Sequence, residues 1–516
     1  MKVISAKEAV AKIKDRSSVV ATGFVGSGFA EYILETIEQE FLATGTPKDL
    51  TVIWDAALGN GRGMGVDHLG HKGLIKEAIT CHLNMNPKLQ KMIGDNEIPA
   101  QMLPLGAVAQ LYREMGAGKP GLFSKIGLGT FVDPRIEGGK CNAKSTKDYV
   151  KVVEVEGEEY LFYKAFPMDV AIIRGTSVDQ KGNLTCEKEC VISDMMVAAR
   201  AVKRNGGIVI AQVERVVANG SLNARDVIVP GIMIDYVVVA PLEKHKQTAA
   251  TAYNPAWAQE YRVQLDSLEA LPLDERKIIA RRAAMEIKEN SIINLGFGMP
   301  EGLASVAAEE GFAEAITMTV ECGHIGGVPA SGLDFGGCYN PDYVVDMVRQ
   351  FEWYEGGSLD AAFLGAAEVD QYGNANVTKF GRIVGPGGFI NIAHTAKSVC
   401  YCGTFTAGGL EIAVEDGKLR IVNEGKAKKY IADVEQISFS AKYALKEKQK
   451  IKYITERAVF DLTLDGIVLT EIAPGIDLKT QVLDQVVGFE LKVSPDLKLM
   501  DERIFRDEKM GIKPVL

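Results

Sequence analysis

The sequence predicts an α/β protein made of two related halves, each built on an open and mostly parallel sheet. Three observations predict this fold: short apolar runs rich in β-branched residues, amphipathic helical segments between those runs, and an internal repeat. Strands that alternate with helices favour a parallel sheet covered by helices. The length of 516 residues suits two large domains.

In the first half, four apolar segments bounded by Gly, Asp or Pro are typical of buried strands. They are Val19–Thr22, Leu50–Trp54, Ile208–Val213 and Tyr236–Ala240. Between the first two, Ala30–Phe41 has apolar residues at helical spacing and glutamates on the opposite face. The order strand, helix, strand is that of a parallel unit.

The second half continues the same pattern and then adds hairpins. Ser291–Leu295 and Ala315–Val320 are predicted strands, and Pro300–Glu309 is a predicted helix with proline near its first turn. Two later Asp-Gly pairs, Asp416-Gly417 and Asp465-Gly466, lie between alternating segments. Asp-Gly between such segments is a strong hairpin signal.

Two pairs of segments repeat along the chain in the same order. Residues 169–183 are DVAIIRGTSVDQKGN and residues 360–374 are DAAFLGAAEVDQYGN, an offset of 360 − 169 = 191. Upstream, IKDRSSVVATGF at 13–24 resembles IKENSIINLGF at 287–297. A repeat at this distance predicts two fused, related halves and excludes a solenoid of short repeats.

These repeats predict the domain organisation. The first half is expected at residues 1–242 and the second at 276–516. Residues 243–275 are the predicted linker, because they are rich in Thr, Ala and Gln, contain Pro255 and Pro272, and have no clean periodicity.

Composition and charge restrict the partners. The net charge is 58 − 68 = −10, which disfavours nucleic acid as a partner. The eight cysteines form no C-x-x-C pair, a usage that suits the reducing cytoplasm. No apolar run approaches the roughly 20 residues of a membrane helix, and charges interrupt the N-terminus. We therefore expect a cytoplasmic protein with neither a membrane nor a nucleic-acid partner.

The sequence contains no convincing motif for binding a dinucleotide or a metal ion. The only stretch that fits G-x-G-x-x-G, at 116–121, follows a helix-like run and contains Pro120, whereas the fingerprint follows a strand. Asp67, His68 and His71 could form a metal site, but no further Cys or His cluster accompanies them, and structural roles are favoured. No metal site is predicted.

The stretch from Met318 to Gly332, MTVECGHIGGVPASG, carries the strongest chemical signal. Glu321 ends a predicted strand and is followed by Gly323, Gly326 and Gly327. Ligands of open parallel sheets bind beyond the carboxyl ends of strands. Glycines there would let a thioester approach closely and leave N–H groups free for an oxyanion. The alternative is a capping or surface glutamate in a turn.

With these residues the chain resembles the class I coenzyme A-transferases, most closely the single-chain enzymes that act on acetate and propionate. The similarity is specific in E-x-G-x-I-G-G around Glu321 and extends over nearly the whole chain. It includes GLFSKIGLGTFVDPR at 121–135, EYLFYKAFP at 159–167, VERVV at 213–217, CGTFTAGGL at 402–410 and EIAPGIDL at 471–478.

The resemblance implies a fold of two related α/β halves and a ping-pong transfer of CoA from a short-chain acyl-CoA to a carboxylic acid. Glu321 would be the nucleophile, and a glutamyl-CoA thioester the intermediate. Acyl-CoA (acetyl-, propionyl- or butyryl-CoA) and short carboxylic acids would be the substrates, with no prosthetic group. The resemblance also implies a homo-oligomer.

Further site residues follow from the resemblance by position. Gly385 and Gly388, in GPGG, would contact CoA, and Gly388 would donate its N–H to the oxyanion. Asn374 would lie near the pantetheine. The loop expected to contact CoA comprises Gly296, Phe297, Gly298, Met299 and Pro300. Without the resemblance, tight turns are the favoured explanation of these glycines.

One position departs from the family pattern. Relatives usually have glutamine where this chain has Leu105, and leucine has no side-chain donor for an oxyanion. Gln101 and Gln110 lie nearby in sequence. Cys322 and His324 flank Glu321; a catalytic pair is one interpretation, and packing and turn roles are the other. Acyl-CoA hydrolysis and catalytically silent ligand binding remain alternatives to CoA transfer.

Overall fold

The structure is a computed structural model, and it describes residues 1–265 and 270–514. Each half contains one large sheet, and smaller antiparallel sheets accompany both. The predicted α/β fold with fused, related halves is confirmed.

The first large sheet is parallel throughout its main path. The strands of this half are β1 (Lys2–Val3), β2 (Ser18–Ala21), β3 (Leu50–Trp54), β4 (Ile75–Thr80), β5 (Ala100–Met102), β6 (Gly121–Ser124), β7 (Val150–Val155), β8 (Glu158–Lys164), β9 (Val170–Asp179), β10 (Leu184–Thr185), β11 (Ile208–Val217) and β12 (Tyr236–Val239). The order is β1-β12-β11-β9-β2-β3-β4-β5, with β10 antiparallel on β9. A separate antiparallel sheet has the order β6-β8-β7.

Helices connect these strands as expected for a parallel sheet. They are α1 (Ala6–Val10), α2 (Glu31–Thr44), α3 (Pro87–Gly94), α4 (Leu105–Gly116) and α5 (Met195–Arg204). The predicted helix at Ala30–Phe41 is α2, and it ends at Gly45 in the left-handed conformation, with φ of 75°.

The second large sheet has a parallel centre flanked by antiparallel pairs, and its edge strand β31 is parallel to β30. The strands of this half are β13 (Ile292–Leu295), β14 (Thr317–Val320), β15 (His324–Ile325), β16 (Val328–Pro329), β17 (Cys338–Tyr339), β18 (Tyr343–Val344), β19 (Ala361–Leu364), β20 (Glu368–Asp370), β21 (Ala375–Asn376), β22 (Ser398–Cys402), β23 (Thr406–Ala407), β24 (Glu411–Glu415), β25 (Lys418–Asn423), β26 (Ala427–Lys428), β27 (Tyr430–Ile431), β28 (Lys450–Ile454), β29 (Ala458–Thr463), β30 (Gly466–Ile472) and β31 (Lys492–Leu499). The order is β18-β15-β14-β13-β19-β22-β28-β29-β30-β31, and β14 to β28 are parallel in this path. Both predicted hairpins are present, as β24–β25 and β29–β30.

The helices of the second half are α6 (Glu275–Ala284), α7 (Gly302–Glu310), α8 (Met347–Trp353), α9 (Phe389–Thr395), α10 (Ala441–Lys446) and α11 (Leu478–Gln481). The helix predicted at Pro300–Glu309 starts with a 3-10 turn over Met299–Glu301 and continues as α7. None of the helices in the described ranges is long and apolar enough to cross a membrane.

The internal repeat corresponds to the same local structure in both halves. Asp169 accepts the N–H of Ser18 at 2.8 Å, and Asp360 accepts the N–H of Ile292 at 3.0 Å, so each aspartate caps the start of a central strand. The V-D-Q-x-G-N segments form matching turns, in which Asp179 bonds Asn183 and Asp370 bonds Asn374 through their side chains, both at 2.9 Å. The repeated letters therefore preserve hydrogen bonds that fix the turns.

The segment predicted as a linker packs against the second half. The buried Trp257 ring lies 5.8 Å from the Tyr339 ring, centre to centre, and closes over Gly337. Residues 266–269 of this segment lie outside the described residues. The domain boundaries at 242 and 276 stay predictions.

Residues 384–391 of the second half, a loop that runs into the first turn of α9, join the two halves through hydrogen bonds. Val384 accepts the N–H of Leu83 at 2.7 Å, and Gly387 both donates to Cys81 at 3.1 Å and accepts from Leu105 at 3.0 Å. The side chain of Asn391 accepts the N–H of Gly106 at 3.1 Å. We call residues 384–391 the bridging loop; it fixes the carboxyl ends of β4 and β5 relative to the second sheet.

Replacing Gly323, between β14 and β15, should destabilise the fold. Its φ is 117°, and a Cβ there would lie 1.8 Å from the Val345 carbonyl oxygen. We expect Gly323→Ala to lower the free energy of unfolding by roughly 3–5 kcal/mol, measured from thermal unfolding and soluble yield. Gly311→Ala is the matched control, since that glycine has φ of 79° but open space around it; it should cost about 1–2 kcal/mol. Equal melting temperatures for the two variants would contradict the expectation.

Candidate active site

A cavity of about 250 Å³ lies where the carboxyl edges of the two large sheets meet. The first half contributes residues that follow β2, β3, β4 and β5, and the second half contributes residues at the ends of β13, β14 and β19 together with the bridging loop. In both sheets the strand order changes direction at a central strand: β3 and β9 lie on opposite sides of β2, and β14 and β19 lie on opposite sides of β13. Such reversal points are where open α/β sheets bind ligands.

The cavity wall is largely apolar. Of the lining side chains, only those of Glu321, His82 and Asn84 carry nitrogen or oxygen. The remaining lining residues are Phe24, Val25, Ala56, Ala57, Met85, Leu105, Gly296, Phe297, Phe335, Leu364, Gly365, Val377, Val384, Gly385, Pro386, Gly387, Gly388, Phe389 and Ile392. A polar group placed here is therefore surrounded mostly by hydrocarbon.

Glu321 follows β14 directly and lies in this wall, as the strand-end argument predicts. Its Oε2 is buried and has no hydrogen-bond partner among the described residues. Burial raises the pKa of Glu321 to about 7, while its own backbone N–H and the nearby Asn294 act in the opposite direction. The alternative interpretation, a surface or helix-capping glutamate, does not fit this placement.

A hydrogen-bonded network supports the strand beneath Glu321. Tyr354 donates to Thr319 Oγ1 at 2.9 Å and accepts from Asn294 Nδ2 at 3.2 Å. Thr319 Oγ1 in turn donates to the Ile293 carbonyl at 2.8 Å. These buried bonds tie β14 to β13 and to the end of α8, so two elements hold the backbone that carries Glu321.

The bridging loop places two predicted glycines at the cavity. A Cβ on Gly388 would lie 3.3 Å from Glu321 Cγ, so its backbone passes directly beside the carboxylate. The Gly388 N–H has no partner in the described part of the chain. Gly385 has φ of 100°, and a Cβ there would lie 2.4 Å from the Cys81 carbonyl oxygen. Glycine is thus required at 385 by contact between the halves.

Only part of the predicted CoA-contacting loop reaches the cavity. Gly296 and Phe297 line it, and the Phe297 ring is 44% exposed and 5.4 Å from the Phe335 ring. Gly298, Met299 and Pro300 turn away into the 3-10 turn before α7, where Pro300 is buried. A role of these three residues in CoA binding stays a prediction.

Asn374 is not brought to the cavity. Its amide nitrogen donates to Asp370 at 2.9 Å and its oxygen accepts the N–H of Ala441 at 3.0 Å. Because Asn183 makes the same bond to Asp179 in the first half, the asparagine has a turn-forming role in the repeat. The predicted contact with pantetheine has no support in this arrangement and stays a prediction.

The glycines after Glu321 serve the protein's own packing. The position of a Cβ on Gly323, Gly326 or Gly327 is occupied by Val345, Asp342 or Tyr339, at 1.8 to 2.2 Å. The idea that they open space for a thioester is therefore wrong. They allow β15 and the segment before α8 to pack against the turn that begins at Glu321.

Cys322 and His324 are in contact but do not form an activated pair. The distance from Cys322 Sγ to His324 Nδ1 is 3.3 Å. Burial raises the pKa of the Cys322 thiol well above its usual value and lowers the pKa of His324 to about 4. Both groups are therefore neutral near pH 7, which favours packing over nucleophilic catalysis.

The glutamines considered as substitutes for the side chain at Leu105 are used elsewhere. Gln101 donates to the Gly138 carbonyl, and Gln110 lies beside Glu355. Leu105 itself lines the cavity, and its backbone N–H is bonded to Gly387. Neither glutamine is part of the cavity wall.

His68 and His71, which lie between β3 and β4, form ion pairs with glutamates. His68 lies 2.9 Å from Glu31 and 2.5 Å from Glu38, and His71 lies 2.5 Å from Glu38. Burial lowers the pKa of His68, but the two glutamates outweigh it and raise the pKa overall. Within the described ranges, no cluster of His, Cys, Asp and Glu is arranged to hold a metal ion.

Sequence reasoning missed a buried carboxyl pair, Asp55 and Asp194. Asp55 follows β3 as Glu321 follows β14, so it occupies the corresponding place in the first half. Burial and the neighbouring Asp194 raise the pKa of Asp55 well above its usual value. Burial also raises the pKa of Asp194. Burial thus favours the protonated form of both carboxyl groups. The end of a predicted strand was the available signal for Asp55.

The fold and site define an enzyme with duplicated α/β halves and a buried carboxylate between their sheets. A family model described as Coenzyme A transferase matches residues 3–240 and 276–463. The chain is 43% identical over 523 residues to the caffeate CoA-transferase of Acetobacterium woodii, covering 100% of this chain and 99% of the relative. It is 42% identical over 512 residues to the acetate CoA-transferase YdiF of Escherichia coli K12, covering 99% and 96%.

A solved structure agrees over nearly the full length. The acyl-CoA transferase YdiF of E. coli O157:H7, crystallised as a thioester complex with CoA, matches with a TM-score of 0.95 and 41% identity over 99% of this chain and 98% of that chain. The chain is a CoA-transferase. It belongs to the coenzyme A transferase family.

The raised pKa of Glu321 makes a prediction about stability. Below about pH 4.5 the carboxyl group of Glu321 is protonated in both the folded and the unfolded protein. Between about pH 4.5 and 7 it ionises in the unfolded protein and stays mostly protonated in the folded one. Stability is therefore lost as pH rises through this window. Relative to Glu321→Gln, wild type should lose roughly 2–3 kcal/mol between about pH 5 and pH 8. Thermal unfolding of both proteins across this range measures the difference.

The control for this measurement is Glu154→Gln, which changes an exposed glutamate by the same chemistry. Its stability should follow that of wild type at every pH. A constant difference between wild type and Glu321→Gln across the range would show that the carboxyl group titrates normally, contrary to expectation.

Proposed function

We propose that Glu321 is the nucleophile of a ping-pong CoA transfer. Its carboxylate attacks the carbonyl carbon of an acyl-CoA and the C–S bond breaks, which gives an acyl-glutamyl anhydride and CoA thiolate. The thiolate then attacks the glutamyl carbonyl and expels the first carboxylate, leaving a glutamyl-CoA thioester. An acceptor carboxylate reverses these two steps and leaves as the new acyl-CoA.

One observation carries this proposal: a carboxylate with an unpartnered oxygen lies in an apolar cavity at the meeting edges of both sheets. Hydrogen bonds to a carboxylate reduce its reactivity toward a carbonyl carbon, and Oε2 of Glu321 has none among the described residues. With a pKa of about 7, the group is substantially ionised near neutral pH although it is surrounded by apolar residues. Such a site favours attack once the cavity has excluded water.

Oxyanion stabilisation must accompany this attack, because a carboxylate is a weak nucleophile toward a thioester. The Gly388 N–H is the backbone donor that we assign to this task, since Gly388 adjoins the side chain of Glu321. The similarity to YdiF, which was crystallised as a thioester complex with CoA, supports the same covalent route here. Binding of the long CoA moiety would supply the energy for positioning.

The apolar wall supports monocarboxylic acids as substrates. No lysine or arginine is among the lining residues, so a second carboxylate on the acid would be buried without a counterion. We propose short-chain acyl groups such as acetyl, propionyl and butyryl. A larger aromatic acid is the second candidate, favoured by the four phenylalanines in the wall and by the caffeate CoA-transferase among the relatives.

The resemblance also motivates two proposals about the setting of the enzyme. We propose that it works in the cytoplasm, where acyl-CoA thioesters are available and where its eight cysteines, all unpaired in the structure, would stay reduced. We propose a homo-oligomer, which light scattering of the purified protein would test.

Incubation of the protein with acetyl-CoA and no acceptor should leave CoA attached to Glu321. Intact-mass and peptide mass spectrometry of the quenched protein should find the adduct on the peptide that contains this residue. Glu321→Gln should carry no adduct and should lose transferase activity by at least about 10³-fold, because the amide is a poor nucleophile. Glu368→Gln is the control and should form the adduct as wild type does. An unlabelled peptide from active protein would contradict the proposal.

A donor and acceptor panel should separate the substrate candidates. With acetyl-CoA as donor, kcat/KM for propionate or butyrate should exceed that for succinate by about 10-fold or more, since a buried unpaired charge costs several kcal/mol. Caffeate in the same panel tests the aromatic candidate. An arm without acceptor tests hydrolysis: CoA release at the same rate with and without acetate would favour a hydrolase over a transferase.

A further inference from the structure

The replacement of glutamine by Leu105 leaves the cavity short of one side-chain donor. The Gly388 N–H can supply one hydrogen bond to an oxyanion, whereas oxyanion sites commonly use two donors. Only His82 and Asn84 among the lining side chains carry N–H groups. Of these two side chains, His82 is favoured as the donor, because hydrogen bonds fix both the orientation of its ring and its backbone.

Hydrogen bonds fix which nitrogen of His82 carries the proton. The backbone N–H of Asn84 donates to His82 Nδ1 at 3.2 Å, so Nδ1 is an acceptor. In a neutral imidazole the proton must then be on Nε2. In the described ranges, Nε2 has no protein partner of its own, and the ring lines the cavity. Nε2–H is therefore a donor without a partner beside the reaction site.

The backbone of His82 is held as firmly as its ring. Its carbonyl oxygen accepts from Trp54 Nε1 at 3.2 Å and from Thr80 Oγ1 at 3.3 Å. Its N–H donates to Thr80 Oγ1 at 3.2 Å. A donor on such a support loses little entropy when it binds a developing charge, which is the condition for electrostatic preorganisation.

Contacts through the bridging loop place this ring near Glu321. A Cβ on Gly387 would lie 3.7 Å from His82 Cδ2, the ring carbon bonded to Nε2. On the next residue, a Cβ on Gly388 would lie 3.3 Å from Glu321 Cγ. Consecutive glycines thus touch the His82 ring and the Glu321 side chain, which puts the two side chains on the same short stretch of wall.

The ring remains neutral in the working range of the enzyme. Burial, with a smaller effect of Arg382, lowers the pKa of His82 to about 4. A neutral imidazole can donate to an oxyanion without pairing with the Glu321 carboxylate as a cation would. Asn84 lies two residues further from the strand end, and its backbone N–H is already used to orient the ring.

We propose that the Nε2–H of His82 is the second oxyanion donor of this enzyme and takes over the task that Leu105 cannot perform. The inference rests on the proposed function, because it concerns the acyl transfer at Glu321. The hydrogen bond forms to the oxygen of the attacked carbonyl as it gains negative charge, and the proton stays on Nε2 throughout. His82 contacts the reacting group and is in this sense a catalytic residue.

Four variants test the assignment by the rate of Glu321 thioester formation from acetyl-CoA, measured by quenched-flow mass spectrometry. His82→Phe keeps a planar ring without a donor and should slow this step by about 10²–10³-fold, with kcat falling and KM nearly unchanged. His82→Gln keeps an N–H and should lose less. Leu105→Gln in the His82→Phe protein should recover about 10-fold or more, because it returns a side-chain donor to the cavity wall.

His394→Phe is the matched control, since His394 is also a buried imidazole with a pKa lowered to about 4 but is not among the lining residues. It should form the thioester at the wild-type rate. Circular dichroism and CoA binding establish that each variant is folded. A folded His82→Phe with the wild-type rate, or with a loss confined to KM, overturns the assignment alone. A wild-type protein that forms no thioester overturns the proposed function and this inference with it.

Discussion

The hydrogen bonds between the bridging loop and the first half are the constraint on which the site depends. Leu83, Cys81 and Leu105 make these bonds, which hold the segments after β4 and β5 against the bridging loop. In the same loop, Gly388 adjoins the side chain of Glu321. The cavity walls belong to different halves of the chain. Without these bonds the walls could separate and admit water, and the desolvation that raises the pKa of Glu321 would be lost. The proposed transfer therefore depends on a fixed interface between the halves as well as on the carboxylate of Glu321.

Because the two halves are related copies, each has an acidic residue at the same place in its sheet, although the two residues differ in their surroundings. After the second strand of its unit, the first half has Asp55 and the second half has Glu321. Asp55 lies beside Asp194, and burial raises the pKa of both carboxyl groups within the first half. Among the described residues, no carboxyl group contributes to the raised pKa of Glu321, and one of its oxygens is unpartnered. The same place in the fold thus holds a paired carboxyl in one copy and the buried carboxyl of the proposed nucleophile in the other.

Local sequence signals predicted much of the fold and one residue of the site. The strand at Leu50–Trp54 was predicted with its observed bounds because its apolar, β-branched run is bounded by Asp residues. Glu321 could be found because it combines a strand end with a dense group of glycines. The function of those glycines could not be predicted, since only three-dimensional packing reveals that Val345, Asp342 and Tyr339 fill the adjacent space. His82 and Asp55 carry no motif, and their importance arises from contacts between distant segments.

The loss of the glutamine at Leu105 is best understood together with the apolar wall. A leucine there removes one donor but also extends a hydrocarbon surface that already includes Phe24, Val25 and Met85. Such a surface favours uncharged acyl groups and excludes water that would hydrolyse an anhydride or a thioester. With the second donor proposed on His82, that donor lies after β4 beside Gly387, and the Leu105 side chain remains part of the apolar surface that an acyl chain would contact. Substrate preference and oxyanion stabilisation are thereby assigned to different side chains of one cavity.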